Sequence, residues 1–297
     1  MNPWRFHPHP EVWLLVASIV GLAIYAVRVI GPKVVRDGSP IVTRRQKGWF
    51  VLAVLLLWAG ADWPVHDIGE QRLYFVHMLQ HLTFTMAVAP LFLLATPTWL
   101  ARLIVGNGWF AGNVVRRLCR PVVAGVLFNA AFVFVHYPPT VNASATNGAL
   151  HFGLHLLIVA TALLMWMPVC GPLPELRLSL PAQMLYLFCQ SIVPTIPSAW
   201  LIFAEHPVYR VYDTAYRMGG ISAVSDQQAA GVIMKLGGGF FLWSVIFVIF
   251  FKWSALHQEA ERVGVLVSER DVLTWDEVQA ELAELERQGP APAEPSG

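Results

Sequence analysis

The sequence predicts an all-α fold: a polytopic membrane protein with seven transmembrane helices, its N-terminus outside and its C-terminus cytoplasmic. Of its 297 residues, 56% are hydrophobic and only 13% are charged, whereas a typical soluble domain has about 25% charged residues. The mean hydropathy is +0.54, and several long apolar runs nearly lack charge. The 12 Trp and 17 Phe suit lipid-facing and interfacial positions.

Seven apolar runs provide the predicted spans, since a helix needs roughly 20 residues to cross a bilayer. The second and fourth runs are shorter, although the second can extend toward His66 and the fourth can begin near Leu118. In the sixth run, Pro194 and Pro197 predict a bend. The spans are residues 12–30, 48–62, 73–95, 122–136, 149–167, 182–203 and 229–251.

Basic residues in the loops predict the orientation of the chain. Residues 31–47 carry five Lys or Arg and residues 97–121 carry four, whereas residues 62–72 carry one and residues 137–148 carry none. The positive-inside rule places the basic loops in the cytoplasm, which requires an odd number of spans. Residues 205–225, with two Arg, fit the outer side less well.

Three regions follow from this pattern. Residues 1–252 form the seven-helix transmembrane domain. Residues 253–288 are charged and mixed, with Thr274 and Glu277 spaced as a helix-capping box, and predict a cytoplasmic amphipathic helical tail. Residues 289–297 are rich in Pro and Ala and predict a disordered end.

Two histidine pairs are the most informative feature of the chain. His77 and His81 lie near the start of the third span, and His151 and His155 lie near the start of the fifth. Each pair is spaced i, i+4, so both imidazoles lie on one face of a helix. Ionisable residues inside membrane segments are costly and indicate a functional site. Both pairs fall at similar depth in the outer half of the membrane, where they predict a metal or cofactor site.

Other candidate ligands start from the same outer side. Asp226 and Met234 lie at the beginning of the seventh span, and Met78 lies between the histidines of the third. Imidazole and thioether together favour copper, with Cu(I) preferred. Asp226 is a candidate ligand or an acceptor that orients an imidazole N–H. The predicted metal site therefore comprises His77, His81, His151, His155, Met234 and Asp226.

The remaining polar residues receive simpler interpretations. His66 and His136 are expected at the membrane interface, and His7, His9, His206 and His257 are expected to be exposed. Lys235 lies inside the seventh span without an evident partner. The three Cys form neither a CxxC nor a CxC motif, which argues against a thiolate metal site. The sequence has no nucleophile–base set, phosphate loop or redox motif, so we expect neither an enzyme nor a nucleic-acid partner.

Three blocks of sequence resemble the CtaG family of caa3-type cytochrome c oxidase assembly factors. The blocks are residues 77–97, residues 136–168 with the second histidine pair, and residues 209–239 with the Asp226-Gln227-Gln228 run. The stretch LTWDEV at residues 273–278 also resembles the tail of many members. The family usually has an aromatic residue where this chain has Lys235.

The resemblance implies an assembly factor for a haem–copper oxidase in the bacterial inner membrane. It implies that copper enters from the outer side, from a possible copper donor, and passes to the large subunit of the oxidase. Alternatives remain: a haem protein with histidine axial ligands, a copper transporter, or a metal-free scaffold in which the histidines tie helices together.

Overall fold

The structure is a computed structural model that describes residues 6–35, 38–105, 109–213, 218–271 and 275–288. Its regular elements in those ranges are all helices, as predicted. They are α1 (Pro10–Val34), α2 (Arg44–Ala61), α3 (Val65–Gln71), α4 (Tyr74–Ala95), α5 (Thr98–Val105), α6 (Trp109–Leu118), α7 (Pro121–Val135), α8 (Pro138–Ser144), α9 (Gly148–Cys170), α10 (Leu180–Gln190), α11 (Thr195–Ile202), α12 (Ala223–Val232, Ile233–Gly237 and Gly238–Asp271) and α13 (Trp275–Gln288).

The described chain contains five to seven candidate membrane spans. Five are long and apolar enough on their own: Pro10–Val34, Tyr74–Ala95, Gly148–Cys170, Leu180–Ile202 and Ala223–Val263. Two more arise if each bent helix pair is one span, namely Arg44–Ala61 with Val65–Gln71 at 43° and Gly112–Leu118 with Pro121–Val135 at 71°. These are the second and fourth runs, which the sequence had already marked as short. The chain is therefore a multi-pass membrane protein.

Prolines account for the broken spans. Pro64 precedes α3, and Pro121 is the first residue of α7, where its fixed φ suits a helix start but its ring keeps Arg120 extended. The predicted interruption of the sixth span is also present, since α10 ends at Gln190 and α11 begins at Thr195. Lys235 finds its partner at this break, where its ammonium donates a hydrogen bond of 2.5 Å to the Thr195 hydroxyl.

Residues 97–121 are not the plain loop that we expected, because they contain the helices α5 and α6. The apolar residues of α5 recur at helical spacing, and Ala101 and Val105 are buried against Leu173, while Arg102 is exposed. The basic loop is thus largely a pair of surface helices.

The C-terminal part forms a second compact unit, residues 250–297. The helix Gly238–Asp271 passes through the predicted boundary at residue 252 without a break, and Trp275–Gln288 forms α13. The predicted capping residue Thr274 and the predicted disordered residues 289–297 lie outside the described residues.

The core of the first unit, residues 1–249, is built around α7 and α9, which pack closely. Its largest buried side chains include Phe128, Ile158 and Trp166. A π-helical segment in α4, Thr83–Val88, interrupts the regular backbone ladder, and the Trp166 indole N–H donates to the Thr85 carbonyl at 2.8 Å. The tryptophan therefore satisfies a backbone group that lipid cannot solvate.

The N-terminal segment is tied to the start of α3. His7 Nδ1 and His9 Nε2 lie 3.0 and 2.9 Å from the two carboxylate oxygens of the buried Asp67. The His9 side chain is only 16% exposed, so the expectation that His9 is exposed was wrong. Partial burial lowers the pKa of His9, but its hydrogen bonds with Glu11 and Asp67 outweigh this, and the pKa lies above the ordinary 6.5.

Replacing Gly231 with Ala should destabilise the packing of α12 on α11. An added Cβ would lie 2.9 Å from the Ser198 carbonyl oxygen and 3.0 Å from Leu201 Cβ, so the backbone would have to shift. We expect a loss of about 1–3 kcal/mol in thermal unfolding of the detergent-solubilised protein. Gly239→Ala is the matched control, because nothing lies within 4 Å of its added Cβ. Equal stability of the two variants would contradict this packing.

The contribution of His9 to stability should depend on pH. Because its pKa is raised on folding, the stabilisation is fully present below the unfolded-state value and is lost as pH rises through the folded-state value. The difference in unfolding temperature between wild type and His9→Gln should therefore shrink from about pH 6 to about pH 9. The exposed His206, replaced by Gln, serves as control. A difference that grows with pH would oppose the assignment.

Candidate metal centre

The four predicted histidines of α4 and α9 lie close together in the first unit. The rings within each pair lie 4.4 Å (His77–His81) and 4.6 Å (His151–His155) apart between centroids, as expected for i, i+4 neighbours. Between the helices, the His81–His155, His77–His155 and His77–His151 centroids are 4.7, 5.4 and 5.5 Å apart. The two helices therefore place the four imidazoles in one cluster.

Three of these imidazoles have the spacing of metal ligands. One ring nitrogen each from His77, His151 and His155 lies within 4.8 Å of the other two. Nitrogen ligands about 2.0–2.1 Å from one ion in a tetrahedral site lie about 3.4 Å apart. Small side-chain rotations would therefore let the three histidines share one ion.

Unpartnered nitrogens support the same conclusion. The Nδ1 atoms of His77, His81 and His155 are buried and have no hydrogen-bond partner. A buried polar atom without a partner costs free energy, and such atoms are rare in folded proteins. Coordination of an ion would satisfy them, so the donor set fits a metal of borderline or soft character.

His151 and His155 also contact each other directly, since their Nε2 atoms are 2.9 Å apart. One ring donates its N–H and the other accepts, so each neutral imidazole partly satisfies its neighbour. An ion bound by both Nε2 atoms would replace this hydrogen bond, and each neutral ring would carry its hydrogen on Nδ1. Metal binding would weaken in acid, because a protonated imidazole has no lone pair to offer.

A carboxylate and a fifth histidine adjoin the cluster. Gln80 Nε2 donates to the Gly60 carbonyl at 2.8 Å and to His66 Nδ1 at 3.2 Å, which leaves the His66 Nε2–H to donate to Glu70 at 3.1 Å. The other Glu70 oxygen lies 3.8 Å from His151 Nδ1. His66, Glu70 and His151 form a second group with metal-ligand spacing, and the two groups share His151.

Sequence reasoning missed Glu70 as a site residue. The signal was present, because Glu70 follows His66 by four residues and so lies one turn along the same face of α3. Residues 62–72 were interpreted as a loop, so the helical spacing of His66 and Glu70 was not considered. The fold turns α3 back against the start of α4, where Gly69 lies against the His77 backbone.

Asp226 fixes the start of α4. Its two carboxylate oxygens accept hydrogen bonds from the backbone N–H groups of Tyr74 and Phe75, at 2.9 and 3.0 Å. The side chain is completely buried and lies outside both groups with metal-ligand spacing. Asp226 thus caps the helix that carries His77, and its role as a metal ligand stays a prediction.

Met234 is buried in the core, at 3% exposure, within the π-helical segment Ile233–Gly237 of α12. This segment packs against α4. Whether its thioether reaches a metal also stays a prediction.

Two tyrosines from the segment before α12 pack beside the site. The Gln227 amide holds this loop, accepting from Val208 N at 2.8 Å and donating to the Tyr209 carbonyl at 3.0 Å. The rings of Tyr209 and Tyr212 lie 4.8 and 4.9 Å from Tyr74, and burial raises the pKa of Tyr209 to about 12. The Tyr209 phenol is therefore neutral, and it donates a hydrogen bond to the His136 carbonyl at 2.8 Å. The cavity beneath is lined by residues that include Glu70, Tyr74, His77, His81, His151, His155 and Tyr212.

Asp226→Asn should loosen the start of α4. The amide keeps one oxygen acceptor but presents an N–H₂ donor to the second backbone N–H. We expect a loss of about 1–3 kcal/mol in unfolding free energy. Asp213→Asn makes the same chemical change at an exposed position and is the matched control. If the two variants unfold at the same temperature, the capping role is refuted.

Comparison with known proteins identifies the family. The family model described as cytochrome c oxidase caa3 assembly factor, Caa3_CtaG, matches residues 4–255. No curated protein and no solved structure matches the chain significantly. The matched range contains every helix that contributes a histidine to the cluster. The resemblance of the three sequence blocks is thereby confirmed, and the chain belongs to the CtaG family of cytochrome c oxidase caa3 assembly factors.

Proposed function

We propose that this assembly factor binds copper at its histidine cluster and delivers it to the large subunit of the oxidase. The observation that carries the proposal is the set of three imidazoles, His77, His151 and His155, with ring nitrogens within 4.8 Å of one another. The buried, unpartnered nitrogens in the same cluster support it. Copper is the cargo here, held for transfer.

The donor types favour copper over the hard cations. Calcium and magnesium take oxygen ligands, whereas neutral imidazoles bind copper and zinc, and nearby thioethers shift the preference toward Cu(I). Glu70 is the one carboxylate in the two candidate groups of the described chain, so the site adds little negative charge. A site of few, neutral ligands can release its ion to a stronger acceptor.

The orientation of the chain completes the proposal. Seven spans, with the N-terminus outside and the C-terminus in the cytoplasm of a bacterial cell, place the cluster in the outer leaflet. The basic residues of 31–47 and of α5 and α6 support this orientation. His66 and Glu70 then lie at the outer mouth, where an ion from an external copper donor would first meet ligands.

Replacement of the four clustered histidines should abolish copper binding by the purified protein. We expect about one copper per chain in wild type and almost none in the His77→Ala/His81→Ala/His151→Ala/His155→Ala variant. Occupancy should fall in acid, because protonated imidazole cannot bind metal. Metal analysis with optical spectra measures both. The matched control replaces two exposed histidines, His206 and His257, with Ala.

Two results would contradict copper handling. Copper retained by the four-histidine variant would place the ion elsewhere. No metal in wild type, with the variant folded, would support a metal-free scaffold. A Soret band that is lost in the variant would instead assign the histidines to haem.

A further inference from the structure

Met78 and His136 face each other inside the protein. Met78 lies on α4 between the paired histidines, and His136 directly follows α7. Their side chains are almost fully buried, at 2% and 3% exposure, so His136 is not the interfacial residue that the sequence suggested. The His136 Nε2 and Met78 Sδ atoms are 3.3 Å apart. Neither Met78 nor His136 belongs to the two groups with metal-ligand spacing, both of which include His151.

The other ring nitrogen fixes the tautomer of His136. His136 Nδ1 lies 2.6 Å from the Phe132 carbonyl oxygen, which can only accept a hydrogen bond. Nδ1 therefore carries the hydrogen, and Nε2 of the neutral ring presents its lone pair. The thioether sulfur has lone pairs and no hydrogen. Two electron-pair donors thus point at each other across 3.3 Å.

A second proton on His136 would allow Nε2 to donate a hydrogen bond to Met78 Sδ, but its free-energy cost would be high. The ring would become a buried cation, and no carboxylate forms an ion pair with it among the residues that the structure describes. Burial of an unpaired charge is strongly unfavourable. A soft cation shared by nitrogen and sulfur would satisfy both lone pairs and is the more economical solution.

We propose that Met78 Sδ and His136 Nε2 bind a soft monovalent cation of the Cu(I) class. With metal–nitrogen and metal–sulfur bonds of about 2.0 and 2.3 Å, the 3.3 Å separation corresponds to an angle of about 100° at the ion. Such an angle leaves room for a further ligand. A thioether selects Cu(I) over zinc or other divalent ions.

The His81 ring links this pair to the histidine cluster. Its centroid lies 6.0 Å from that of His136 and 4.7 Å from that of His155. His81 Nδ1 is buried and unpartnered, so it is available to an ion on either side. The Met78–His136 pair is thus a second ion-binding site beside the histidine cluster. Its use in copper transfer rests on the proposed function, whereas its capacity to bind the ion does not.

Silver binding tests the pair, because Ag(I) has the same preference for thioether and imidazole. The full-length protein in detergent, with its three free cysteines Cys119, Cys170 and Cys189 replaced by Ser in every variant, is titrated with Ag(I), and X-ray absorption reports whether sulfur is a ligand. We expect about two ions in wild type and about one in Met78→Leu, which keeps the buried volume. Met86→Leu is the matched control, since Met86 is also buried on α4.

Two further variants separate the sites. In His136→Gln, the amide N–H₂ can still donate to the Phe132 carbonyl, but the imidazole nitrogen is gone, and we expect the same loss of one ion. The His77→Ala/His151→Ala/His155→Ala variant should keep about one ion, with a sulfur ligand. Circular dichroism establishes that each variant is folded.

The outcomes distinguish failure of this inference from failure of the proposed function. Wild-type silver content in Met78→Leu, or no sulfur ligand in the triple-histidine variant, overturns the pair and leaves the histidine cluster in place. A single ion that is lost in Met78→Leu but kept in the triple-histidine variant supports the pair and argues against the cluster.

Discussion

Lipid offers no hydrogen bonds, so every polar atom inside this protein must find a partner within the chain. The described core follows this rule closely. Trp166 donates to the carbonyl of Thr85, Gln80 donates to the carbonyl of Gly60, and Lys235 donates to Thr195 at the break of the sixth span. The buried Nδ1 atoms of three clustered histidines do not follow it. They are three of the six such atoms in the described residues, and they lie together where the two histidine pairs meet, which favours a bound ligand as the explanation.

The helix α4 carries most of the site and is held at both ends of its histidine segment. Asp226 caps the backbone at Tyr74 and Phe75, a few residues before His77. The π-helical segment begins at Thr83, two residues after His81, and the Thr85 hydroxyl donates to the His81 carbonyl at 2.8 Å. A π-helical segment shifts the register of the residues that follow it. The histidine segment therefore lies between the Asp226 cap and the π-helical segment. Asp226 belongs to α12, and Trp166 of α9 donates to the Thr85 carbonyl within the π-helical segment.

The parts of the site that the sequence could predict are those that depend on local spacing. Each i, i+4 pair lies on one face of a helix, and the apolar runs define the spans. The sequence alone could therefore predict that His77, His81, His151 and His155 lie close together. The parts that it could not predict depend on turns between helices. Glu70 and His66 join the site because the chain breaks after α2 and again before α4, so that α3 lies against the start of α4 at Gly69 and His77. Likewise, the hydrogen bonds from the Tyr74 and Phe75 backbone to Asp226 join segments far apart in the chain, which local spacing could not predict.

The arrangement of the polar groups bears on how an ion could be both held and released. Ring contacts connect His9 to His66 at 5.1 Å and His66 to His151 at 5.7 Å, and the cluster then continues through His155 and His81 to His136. Each neighbouring pair is close enough that an ion could change ligands one at a time without crossing an unliganded gap. The hydrogen-bonded carboxylates of Asp67 and Glu70 stand at one end of the series, and the thioether of Met78 stands at the other. Since sulfur prefers Cu(I) to the harder cations, the Met78 end of the series offers the proposed ion its softest ligand. The same groups, arranged as a closed four-ligand site, would bind more tightly but would exchange more slowly.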